Sequence, residues 1–131
     1  MTVSDGTLWA LLRLALAGLI AAHGWARLLN DAVAPFGAWL DGLGFMVGPG
    51  IAWGVTLYEI AGSLLLAVGW RIFPLTLGFI AIYLAGLFLV HLPAGWFVVG
   101  LGRNGMEYSV LLVCVLACVG LHYRQAGSKR G

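Results

Sequence analysis

Charge is what this sequence has least of. Its 131 residues carry seven Lys or Arg and five Asp or Glu, 9% in all, and no basic stripe exists to neutralise a run of phosphates, which excludes nucleic-acid binding. A phosphate-cradling glycine loop is missing, as is a nucleophile–base arrangement. Cysteine occurs twice, and not as CxxC. Cys114 and Cys118 are four apart, on one face of a helix, a spacing that suits close packing of a neighbouring helix better than a mutual disulfide. The stretch MTVSDGT has no Lys or Arg, and Arg13 interrupts the apolar run after it, so a cleaved signal is not expected.

What is present is hydrophobicity. Apolar residues make up 62% and mean hydropathy is +1.00, values that suit a chain dissolved in lipid. The reading is therefore an integral membrane protein of all-α class, a bundle of four transmembrane helices within one domain, 1–131. Apolar runs of about 17–25 residues place the spans at about 8–28, 51–70, 72–90 and 106–123. The second and third meet at WRIFP, where Pro74 fits the first turn of the next helix. Between the first two, APFGAWLDGLGFMVGPG predicts a short interfacial or re-entrant segment over Phe36 to Phe45, anchored by Trp39. Small residues at Ala17 with Ala21, Gly18 with Ala22, and Gly50 with Gly54 predict close helix contacts.

Four spans put both termini on one side of the membrane. Arg71, Arg124, Lys129 and Arg130 fall on that side, against Arg27 and Arg103 on the other, so the termini are expected in the cytoplasm. His23, Arg27, His91, Arg103, Asn104 and Glu107 then all approach the outer face. At about 1.5 Å per residue, Glu59 and Arg13 differ in depth by about one helical turn and can pair across helices one and two. Charges at such depth normally face protein and find partners. A fixing ion pair, a role in ligand or proton handling, and a protonated Glu59 all remain open.

The outer group is the candidate site. His23 and Arg27 share a helix face, His91 closes helix three, and Glu107 opens helix four, where it complements the helix dipole with Asn104 or the preceding glycine as cap. Each histidine taken alone suits hydrogen bonding to a loop carbonyl. Together, His23, His91, Glu107, Asn104 and Arg103 form a ligand-binding or proton-exchange cluster, while the spacing of His23, His91 and Glu107 matches no compact metal motif.

Three segments carry a family resemblance: RLALAGLIAAHGWARL, YEIAGSLLLAVGWR and HLPAGWFVVGLGRNGMEY. In order and spacing the chain resembles the DoxX family of small four-helix membrane proteins, from about Leu11 to Gly120. The matching polar positions are Arg13, His23, Glu59, His91 and Glu107. The resemblance implies a bacterial-type inner-membrane location and a link to redox processes, including quinone-coupled oxidation and thiol-stress complexes. A quinone is then the expected cofactor, with a partner protein of a redox complex or a second copy of the chain beside it in the lipid bilayer. The other reading is a non-enzymatic scaffold, anchor or ligand-passing module whose polar cluster is structural.

Overall fold

The computed structural model describes residues 4–128, with side chains placed for 4–127. Lys129 and Arg130, which count toward the expected orientation, lie outside the described residues. All regular structure among the described residues is helical. Four helices among the described residues are long and apolar enough to cross a membrane. The chain divides after Trp70 into two compact units, Met1–Trp70 and Arg71–Gly131.

In the first unit, α1 runs over Asp5–Leu29. It starts three residues before the apolar run because the Ser4 side chain accepts the Thr7 N–H at 3.3 Å, with Asp5 in the first turn. Helix α2, Val33–Gly42, occupies the segment expected at 36–45. Its ten residues span about 15 Å, half of a hydrocarbon core. It buries Val33, Gly37 and Leu40, and Val33 and Leu40 pack with Ala52. The chain leaves it through left-handed Gly44 and Met46.

Helix α3 covers Gly48–Val68. Pro49 lies in its first turn, where the missing N–H leaves no bond unmade, and the Asp41 carboxylate of α2 accepts the Gly48 N–H at 2.7 Å. That carboxylate stabilises the positive end of the helix from outside it. The start moves from the expected Ile51 to Gly48 for this reason. The end moves from Trp70 to Val68, because Gly69 turns left-handed and Trp70 N–H and Gly69 N–H return to the carbonyls of Leu65 and Leu66 at 2.9 and 3.2 Å. This is the paired C-terminal closure that glycine makes accessible. Midway, Tyr58–Gly62 widens into a π-helical turn.

In the second unit, α4 runs over Ile72–Ala94. Its last two turns change form, to π over Leu87–His91 and to 3₁₀ over Leu92–Ala94, before left-handed Gly95 ends it. Helix α5, Glu107–Ser128, packs against it. Phe79, Leu116 and Val119 are fully buried in this unit. At Gly120 a Cβ would collide with Thr76 Oγ1, so glycine is what lets α5 approach α4 there. Elsewhere both units present apolar side chains outward, Leu57, Leu64, Leu77 and Leu111 among them, each more than half exposed. In water such surface would drive aggregation; in a bilayer it is the solvent-facing side.

Of the small residues expected at helix contacts, Ala17 is buried. Gly18, Gly50 and Gly54 have open space where a Cβ would stand, whereas Gly24 meets Ile60 Cγ1 at 2.9 Å, Glu59 Cβ at 3.0 Å and the Thr56 carbonyl at 3.1 Å. The close approach of α1 to α3 lies at Gly24.

Candidate functional site

That approach sets the first polar group. Glu59 sits on the π-helical turn of α3, almost completely buried. Arg27, one turn beyond Gly24 on α1, donates from Nη1 to Glu59 Oε2 at 2.7 Å and to Thr56 Oγ1 at 3.1 Å. Thr56 in turn donates to the Ala52 carbonyl at 2.7 Å. The Phe36 ring of α2 covers the guanidinium, 4.9 Å from its carbon to the ring centroid, and stacks on Trp39 at 6.1 Å. Three helices thus hold one ion pair.

The partner expected for Glu59 was Arg13. In the structure Arg27 makes the ion pair, and Arg13 Nη1 donates to the Leu66 carbonyl at 3.2 Å, where α3 ends. Leu66 is seven residues beyond Glu59, about 10 Å along the helix. At that position a cation complements the negative helix end. His23 is exposed and its Nδ1 donates to the Leu19 carbonyl at 2.8 Å.

The second polar group is built by the α4–α5 connection. Gly105, Met106 and Glu107 N–H groups donate to the carbonyls of Phe97, Gly95 and Trp96 at 3.1, 3.0 and 3.1 Å. The Glu107 carboxylate accepts the Val98 N–H at 2.9 Å. Glu107 therefore does more than complement its helix dipole: it ties down the loop. Asn104 is left-handed (φ 59°), a conformation asparagine tolerates, and its carbonyl accepts from His91 Nδ1 at 2.8 Å. A carbonyl oxygen only accepts, so Nδ1 carries the proton of that bond. In the neutral ring Nε2 is then the acceptor. His91 is half-buried on the second π-helical turn, and Arg103 is exposed in the loop. Such widened turns recur at functional sites.

The seven expected site residues thus fall into two groups, with Arg13 in the unit that ends at Trp70. His23 and Glu59, with Arg27, belong to the unit ending at Trp70; His91, Arg103, Asn104 and Glu107 belong to the unit beginning at Arg71. Among the described residues, no three His, Cys, Asp or Glu side chains stand close enough to hold a metal. Cys114 and Cys118 are free and exposed on α5. Sequence reasoning missed Thr56 and Phe36 as partners of Arg27. A threonine three residues before the only acidic residue of an apolar span was an available signal; the Phe36 contact had none.

Residues 8–92 match the family model described as DoxX. No curated protein matches the chain, and no solved structure does.

Proposed function

The chain belongs to the DoxX family, and from that premise we propose that this multi-pass membrane protein is a component of a quinone-linked redox system in which His91 exchanges the proton. The observation that carries this reading is the bond from His91 Nδ1 to the Asn104 carbonyl. It holds Nε2 as a proton acceptor on a half-buried ring at the end of a membrane-length helix. These residues fit a quinone: one nitrogen that accepts from a hydroxyl when neutral and donates to a carbonyl when protonated, with the partly exposed rings of Trp96 and Phe97 on the adjoining loop. A quinone bound there would supply two-electron, two-proton chemistry. The chain's own part is to hold the ligand oxygen, to take or return one of the two protons at Nε2 while the other exchanges with water at the outer face, and to keep the ring's orientation through the loop that Glu107 pins. Electrons pass to or from a partner protein of the complex. The whole chain acts as one domain, in an inner membrane with both termini cytoplasmic and His91 toward the outer face.

The test is to purify the protein in detergent with its native lipids, identify co-purifying quinone by mass spectrometry, and repeat with His91→Ala and Glu107→Gln. Quinone bound to the wild type and lost from folded His91→Ala supports the reading. No quinone on the wild type, with variants that lower only thermal stability, would make the second polar group structural and the protein a scaffold.

A further inference from the structure

A buried ion pair can be mere glue, but Arg27 has donors to spare. Of the five N–H bonds of a guanidinium, the contacts to Glu59 and Thr56 both use Nη1. Nε and Nη2 have no hydrogen-bond partner among the described residues and are not sealed inside the protein. The side chain is 20% exposed. It stands in the last turn of α1, and its partner Glu59 lies midway along the span of α3.

The electrostatics narrow what can bind. The Glu59 carboxylate stands 2.7 Å from the guanidinium and offsets its charge. An anion placed against Nε and Nη2 would meet a buried carboxylate across the same guanidinium, in a medium where like charges repel strongly. An uncharged oxygen acceptor has no such penalty. One face of the guanidinium is already covered by Phe36, which stacks on the partly exposed Trp39 and supplies an apolar wall. The π-helical turn under Glu59 is a local departure from regular helix of the kind found at binding sites.

We infer that Arg27, held by Glu59 and Thr56 and walled by Phe36, binds an uncharged carbonyl oxygen of a membrane-soluble ligand through Nε and Nη2. Two sources in a bilayer present such an oxygen: a quinone ring and the ester carbonyl of a glycerolipid. The site lies wholly in the first unit and does not rest on His91.

Full-length protein is reconstituted in nanodiscs of ether-linked phosphatidylcholine, which has no ester carbonyl, and titrated with a short-tailed benzoquinone while tryptophan quenching is followed. Parallel nanodiscs of ester-linked phosphatidylcholine are read by the infrared band of the lipid carbonyl. The informative variant is Arg27→Gln with Glu59→Gln, which removes both charges together and so leaves no buried ion unpaired; circular dichroism confirms its fold. A quinone occupant gives saturable quenching in ether-lipid discs, weakened at least tenfold in the double variant and retained in His91→Ala. A lipid occupant gives a shifted ester carbonyl band in the wild type that the double variant lacks. The inference is overturned if the folded double variant matches the wild type in both readouts, or if inorganic phosphate displaces the signal, which would make the site anionic in preference. Loss of quenching in His91→Ala with retention in the folded double variant, and no lipid band shift, would likewise overturn it and place the quinone at the second polar group.

Discussion

Arg27 and Glu59 face each other at 2.7 Å across the point where Gly24 brings α1 against α3. The carboxylate is almost inaccessible and the guanidinium four-fifths shielded, so the two depend on each other. Removing one partner leaves a buried charge, whereas removing both leaves none. Arg27→Met is expected to destabilise the protein by about 3 kcal/mol, the scale seen when a buried pair loses one member. Adding Glu59→Gln to it should restore part of that loss. Thermal unfolding of the three variants in detergent forms a double-mutant cycle; strictly additive effects would show that the pair is not coupled.

The glycine between them is testable separately. A Cβ at Gly24 meets the Thr56 carbonyl, a backbone atom that cannot swing aside, as well as Glu59 and Ile60. Gly24→Ala should lower stability by about 1–3 kcal/mol, as overpacking does. Gly18→Ala and Gly54→Ala meet open space and should be neutral or slightly stabilising, since alanine is the better helix former. Equal losses at all three glycines would mean that Gly18 and Gly54 contact another molecule.

These two sites also show what was legible in the sequence. The four spans were, because an apolar run of that length has few alternatives, and so was a short segment between the first two. The partner of Glu59 was not. Counting depth by residue rise assumes where each helix begins and how the pair crosses; α3 begins at Gly48, and the crossing at Gly24 sets Arg27, not Arg13, beside Glu59. The polar residues themselves were visible, since charge in an apolar span stands out. Their acceptors were not, because the carbonyls of Leu19, Leu66 and Asn104 carry no residue-type signal.

The loop closing the second unit makes a prediction about Glu107. Its carboxylate accepts the Val98 N–H at 2.9 Å. Glu107→Gln keeps an acceptor oxygen and should preserve the loop, while Glu107→Ala leaves that N–H unpaired at a loss of about 1–3 kcal/mol. Amide hydrogen exchange over residues 95–105 should rise several-fold in the alanine variant and little in the glutamine one. Unchanged exchange in both would show that the carboxylate does not hold the loop.

Asn104 acts on His91 through its backbone, and this separates its side chain from its conformation. At φ 59° glycine is comfortable, asparagine tolerable, and a β-branched residue strained by about 1–2 kcal/mol. Asn104→Gly should therefore keep the carbonyl where His91 Nδ1 reaches it, and Asn104→Val should displace it. Nitrogen NMR of labelled histidine reports the difference directly. The wild type and Asn104→Gly should show the Nδ1–H tautomer at His91, with Nε2 bare, and Asn104→Val a mixture of tautomers. Were the tautomer already mixed in the wild type, the carbonyl would not be orienting the ring. His91 would then have no fixed acceptor nitrogen to offer a ligand hydroxyl.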